Sequence, residues 1–141
     1  MNIANIKLQV PERYPGEEIY RDSRLVVHRI EGLKHRLFCQ NLSLLGKLFI
    51  EHKTLHYDPS PFDFFLILEI DGSDLRPVGY FSKEKVSQLN YNLACIVTFP
   101  PHQRKGVGKF IISTRAFFCS FFVVACDPSS TSDTFFILCS T

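Results

Sequence analysis

The sequence predicts an α/β domain, on three observations. Apolar runs of strand length, rich in β-branched and aromatic residues, alternate with turn residues. One stretch, Leu42 to Phe49, repeats its apolar residues at helical spacing instead. A long apolar strand near residue 95 runs through a short polar loop with two glycines into a further apolar segment. At 141 residues the chain is long enough for one domain with a substantial core.

Pro11–Gly16 is turn material. Leu25–Ile30 reads as a strand, Gly32 as a turn and Arg36–Cys39 as a second strand, so the pair suggests a hairpin. From Asn41, a plausible N-cap, Leu42, Leu45, Leu48 and Phe49 predict a helix ending near His52, before the Tyr57–Pro61 loop. Phe62–Ile70 reads as a buried strand, Asp71-Gly72 as a turn and Val78–Ser82 as the returning strand. Leu93–Phe99 is a third long strand, ended by Pro100-Pro101. Gln103–Lys109 then leads into a helix from Phe110. The region from Ser113 holds no helical or alternating period, and Phe117, Phe118, Phe121, Phe122, Phe135 and Phe136 crowd into it. Apart from a helical continuation of Phe110–Ile112, it is expected to pack poorly.

Composition excludes several function classes. A net charge of +2 is too small to attract nucleic acid by bulk electrostatics. The cysteines Cys39, Cys95, Cys119, Cys126 and Cys139 form no C-x-x-C pair, so a cysteine zinc site is not expected and the thiols are taken as free. The N-terminus does not read as a secretory signal. Phe110–Cys126 is apolar, but Arg115 interrupts it, and Ala116–Cys126 is too short to cross a hydrocarbon core of about 30 Å. His52 and His56 stand at i, i+4 as in H-E-x-x-H, yet Lys53 occupies the position of the acid, so no metal is expected there.

The chemistry concentrates at Gln103-Arg104-Lys105-Gly106-Val107-Gly108-Lys109. Glycines at a helix start let the backbone approach a phosphate, and the first helical amides lack internal partners. Arg104, Lys105 and Lys109 add positive charge. A Walker A loop is excluded, because Phe110 follows Gly108-Lys109 and Gln103 stands where the first glycine belongs. A dinucleotide fingerprint is excluded because Ile111 takes the place of its third glycine. Gln103, Gly106 and Gly108 do satisfy Q/R-x-x-G-x-G/A, the acetyl-CoA pyrophosphate motif of the GCN5-like acetyltransferase fold.

The flanks extend that match. Gly79–Lys85, Tyr91–Thr98, Phe38–Leu42, Lys47–Phe49, His52–Leu55, Tyr57-Asp58 and Pro15–Arg21 together resemble the MYST family of histone lysine acetyltransferases, collinearly from about Tyr14 to Ile112. The resemblance implies a truncated GCN5-like core: a mixed, mostly antiparallel sheet with flanking helices. It implies acetyl transfer from acetyl-CoA to a histone lysine, in the nucleus, among chromatin-complex subunits, without direct nucleic-acid binding. Cys95 aligns with the family's active-site cysteine. Cys95, Ile96, Val97 and Thr98 align with the strand that pairs with the pantetheine arm. Gln103, Arg104, Lys105, Gly106, Val107, Gly108 and Lys109 align with the pyrophosphate cradle, and Lys53 with an autoacetylated lysine. Without the alignment, Cys95 reads as a small buried strand residue.

Two departures shape the expectation. The family's zinc finger precedes the segment at Glu17, where residues 1–16 hold no Cys or His, so no zinc is expected. The family's general-base glutamate follows the helix after the cradle, whereas no glutamate follows Glu84 here. The expected division is a partial acetyltransferase domain over 1–112 and an unrelated Phe-rich tail over 113–141. The expected activity is impaired, with a non-catalytic binding product as the alternative.

Overall fold

The computed structural model describes residues 14–49, 58–86 and 93–118. Among these, five strands form one sheet: β1 (Glu17–Arg21), β2 (Leu25–Glu31), β3 (Phe62–Asp71), β4 (Asp74–Glu84) and β5 (Leu93–Thr98). Their order across the sheet follows the chain, and all four pairings are antiparallel. Helix α1 (Arg36–Lys47) lies between β2 and β3, and α2 (Val107–Phe118) follows β5. The expected α/β, GCN5-like architecture is therefore present, with a wholly antiparallel sheet among the described residues.

Strand periodicity divides the core into two layers. Val26, Ile30, Phe64, Leu66, Leu68, Tyr80, Cys95 and Val97 cluster with Cys39 and Leu42 of α1 on one face. Leu25, Val27, Phe65, Ile67, Val78, Phe81 and Ile96 cluster with Val107 and Ile111 of α2 on the other. Thus α1 and α2 cover opposite faces. The β3/β4 register shifts where Ile67 pairs Gly79 while Leu68 pairs Pro77, which leaves Val78 as the extra residue of a bulge. A Cβ on Gly79 would fall 2.5 Å from the Val97 carbonyl oxygen and 3.3 Å from Ile111 Cδ1, so the bare glycine lets α2 settle onto the sheet.

Three elements depart from the sequence expectation. Arg36–Cys39 is the first turn of α1, not a hairpin strand. The helix opens at His35 without a side-chain cap, five residues or more before Asn41. Its buried face is Cys39, Leu42, Ser43 and Gly46, at i, i+3, i+4 and i+7, whereas Leu45 and Leu48 are exposed. The small Gly46 there leaves room for the tip of the Tyr80 side chain. Second, β1 carries the polar run Glu-Glu-Ile-Tyr-Arg and is mostly exposed, so apolar alternation does not announce it. Third, α2 starts at Val107 rather than Phe110 and continues to Phe118. Its described sheet-facing stripe is Val107, Ile111 and buried Thr114, and the polar Thr114 masks the period. Lys53, the His52/His56 pair and residues 119–141 lie outside the described residues. No helix among the described residues is long and apolar enough to cross a membrane.

Candidate functional site

β5 is the end strand of the sheet and pairs with β4, setting Cys95 opposite Ser82 and Thr98 opposite Gly79. Cys95, Ile96, Val97 and Thr98 are all buried. Cys95 and Val97 look toward α1 and Ile96 toward α2. The Cys95 thiol donates to the Tyr80 hydroxyl at 3.7 Å. Burial pushes that phenol well above its ordinary range, with the Cys95 sulfur adding to the effect. Burial also pushes the Cys39 thiol, in the same cluster, up to about 12, with the Asp63 charge adding.

The chain leaves β5 through extended Phe99 and a 3₁₀ turn at Pro100–His102. The amide of Phe99 donates to the Val78 carbonyl at 2.9 Å, which keeps the exit against β4. Gln103 then folds back, its Nε2 donating to the Thr98 carbonyl at 3.1 Å. The glutamine of the motif thus staples the loop to the end of the strand. Arg104 and Gly106 both have positive φ, at 60° and 82°. Such conformations favour glycine, and for arginine the left-handed region is uncommon. A Cβ on Gly106 would meet nothing within 4 Å, so open space lies in front of the loop.

Helix α2 begins immediately afterwards. Its first intrahelical bond runs from the Phe110 amide to the Gly106 carbonyl at 3.0 Å. The amides of Val107, Gly108 and Lys109 therefore precede any intrahelical acceptor. No acidic residue occupies the first turn. Arg104, Lys105 and Lys109 are exposed around it. Backbone donors and the positive end of the helix dipole lie beside the open space at Gly106, with three exposed cations in the same segment, an arrangement suited to a diphosphate. The donor set fits the pyrophosphate of acetyl-CoA.

The structure thus brings Cys95–Thr98 and Gln103–Lys109 together as one continuous strand–loop–helix unit. Lys53 lies outside the described residues. Sequence reasoning missed the residues that hold the loop from beneath. Arg24 donates from Nη1 to the Lys105 carbonyl at 2.8 Å and from Nε to Glu69 Oε1 at 3.0 Å. Glu69 Oε2 stands 3.6 Å from His102 Nδ1. No spacing rule links residues so far apart in sequence, and no motif could have found them.

Known proteins are similar to this chain in sequence. The sequence pattern of the MOZ/SAS family matches residues 13–120. "Histone acetyltransferase of the MYST family 1" of Arabidopsis thaliana is 54% identical over 99 residues, covering 70% of this chain and 22% of its own length. "Histone acetyltransferase MOF" of Drosophila melanogaster is 50% identical over 101 residues, covering 72% of this chain and 12% of its own length. "Histone acetyltransferase esa1" of Emericella nidulans is 50% identical over 99 residues, covering 70% of this chain and 20% of its own length. The chain spans about a fifth or less of the length of these relatives. Since the family pattern covers residues 13–120, well over half of the sequence, the chain belongs to the MOZ/SAS family.

Proposed function

We propose that the chain forms the acetyl-CoA-binding part of a histone lysine acetyltransferase core that works in the nucleus, on histone tails, beside other chromatin-complex subunits. The observation that carries this reading is the passage from β5 through positive-φ Arg104 and Gly106 into the first turn of α2. The names of the relatives support the reaction class.

In this proposal each residue has a distinct task. The amides of Gly106 to Lys109 and the cations of Arg104, Lys105 and Lys109 bind the pyrophosphate. The backbone of Cys95–Thr98 orients the pantetheine arm along the outer edge of the sheet. Cys95 marks the position of the acetyl group, and Lys53 is a site of autoacetylation. Burial and the contact with Tyr80 favour a second reading of Cys95, as a small core residue that fixes the strand without reacting. Replacing Cys95 by Ala in a chimera whose residues 113–141 come from a relative, where transfer is measurable, separates the two: unchanged acetyl-CoA affinity with lost transfer supports the catalytic role.

Transfer makes a further demand. A lysine amine has a pKa of about 10.4, so only about one in a thousand is neutral near neutral pH. Only the neutral amine attacks a thioester, and a positioned base contributes about 10²–10⁴-fold. No glutamate follows Glu84 in these 141 residues. We therefore propose that this polypeptide binds acetyl-CoA but transfers acetyl groups poorly.

Calorimetry with acetyl-CoA tests the binding, and acetylation of histone peptides tests the transfer. Binding with little transfer is expected. Replacing residues 113–141 with the corresponding segment of a relative, including its glutamate, should restore transfer. Absence of acetyl-CoA binding by the 141-residue chain removes the proposal. Transfer at the rate of the chimera would show that another group, such as Cys95 or His102, serves as the base.

A further inference from the structure

We propose that Arg24 and Glu69 are positioning residues that aim the loop amides at the diphosphate of acetyl-CoA, an inference that rests on the acetyl-CoA reading above. Arg24 lies in the turn before β2 and reaches across 81 residues of sequence to Lys105. Its guanidinium spans two acceptors at once: the Lys105 carbonyl at 2.8 Å and Glu69 Oε1 on β3 at 3.0 Å. The planar fork of arginine fixes the angle between those two bonds.

Lys105 stands between the two positive-φ residues, so its carbonyl belongs to the central peptide plane of the loop. In a trans peptide the carbonyl and the following amide point in opposite directions. Holding the Lys105 oxygen toward Arg24 therefore turns the Gly106 N–H away from Arg24. Without that grip the peptide could rotate and present a carbonyl oxygen, which would repel an anion. At the other end of the loop, Glu69 Oε2 stands 3.6 Å from His102 Nδ1, a buried nitrogen with no hydrogen bond among the described residues.

Arg24 is itself pre-set. Asp22 Oδ1 accepts from the amides of Arg24 and Leu25 at 2.6 Å each, and the Arg24 carbonyl accepts from the Ile70 amide at 2.8 Å. Those two amides hold the Asp22 carboxyl below its ordinary range. The side chain thus projects from a backbone tied on both sides, and the rigid sheet carries the loop position.

The test uses the 141-residue chain, with acetyl-CoA and with acetyl-pantetheine, which lacks the diphosphate. Arg24→Met keeps the aliphatic stem and removes both donors. It should weaken acetyl-CoA by about tenfold, the size expected for losing a charged hydrogen bond, and leave acetyl-pantetheine unchanged. Arg24→Lys, which offers no planar fork, should be intermediate, and Glu69→Gln should weaken acetyl-CoA in the same direction. Equal acetyl-CoA affinity in Arg24→Met, or equal loss of both ligands, overturns the proposal. If the unmodified chain binds neither ligand, the acetyl-CoA reading fails, and hydrogen exchange decides the rest. Faster exchange of the Phe110 amide, which donates to the Gly106 carbonyl, in Arg24→Met then supports the clamp, and identical exchange overturns it.

Discussion

Gly46 of α1 and the Tyr80 hydroxyl of β4 meet with no room for a methyl group between them. A Cβ on Gly46 would overlap the hydroxyl oxygen and stand 3.2 Å from the ring carbon that bears it. The same hydroxyl accepts from the Cys95 thiol, so α1, β4 and β5 share one contact. Gly46→Ala should therefore cost about 1–3 kcal/mol by overpacking. Tyr80→Phe removes the atom in the way. In a double-mutant cycle measured by urea unfolding, the two changes should couple by about 1 kcal/mol or more. Strict additivity would show that α1 does not press on Tyr80.

The conformation of Gly106, rather than the space around it, should limit substitution there. Open space surrounds its Cβ position, but φ is 82°. Gly106→Val forces a β-branched residue into the left-handed region, at about 1–3 kcal/mol of backbone strain. Gly106→Asn should be tolerated better, because asparagine enters that region more readily. Acetyl-CoA affinity by calorimetry should fall strongly for Val and mildly for Asn. Equal effects would mean that side-chain bulk, not backbone shape, decides the site.

Gly79 makes the opposite prediction, because there the space is filled. A Cβ would press on the Val97 carbonyl at 2.5 Å and on Ile111 at 3.3 Å. Gly79→Val should lift α2 from the sheet and cost about 1–3 kcal/mol or more. Trimming Ile111 to Ala in the same chain relieves only the side-chain contact, so urea midpoints should recover in part. Full recovery would show that β5 does not crowd the position.

The buried thiol predicts an alkaline limit to stability. Cys39 is raised from its ordinary 9.0 to about 12 in the folded chain. A raised folded value favours the native state fully below about pH 9, where both states hold the proton, and that favour fades as pH climbs toward 12. Tyr80, also raised, reinforces the same slope above its ordinary 10.0. Thermal midpoints should be level near neutrality and fall above about pH 9. Cys39→Ala should lose about 1 kcal/mol near neutrality and show a shallower alkaline fall. An unchanged slope in that variant would place the limit elsewhere.

Much of the fold was legible because β2, β3, β4 and β5 are apolar runs closed by Gly, Pro or Asp. The loop from β5 into α2 was legible because two glycines, Gly106 and Gly108, follow a strand closed by Pro100-Pro101, and Gly106 does take a positive φ. β1 escaped notice because an exposed edge strand has no buried face to impose alternation. The start of α1 escaped because Arg-Leu-Phe-Cys after a strand and a glycine looks like a returning strand, and His35 gives no capping signal. Its buried face uses Cys39, Ser43 and Gly46 rather than leucines, so the conspicuous Leu45 and Leu48 pointed to the wrong side. Arg24 could not be found at all, since its partner is a main-chain oxygen, and every residue has one.

The strand order repeats the chain order from β1 to β5. Each strand as it leaves the ribosome therefore finds its neighbour already made, and the sheet can grow by adding one ribbon at a time without waiting for a distant partner. The exception is the link from the turn before β2 to the loop before α2, which closes a circuit across nearly the whole described region. That link can form only after β5 is laid down, so among the described residues the loop before α2 should be the latest part to mature. A nascent chain halted before α2 would carry all five described strands and a loop that Arg24 has only begun to hold.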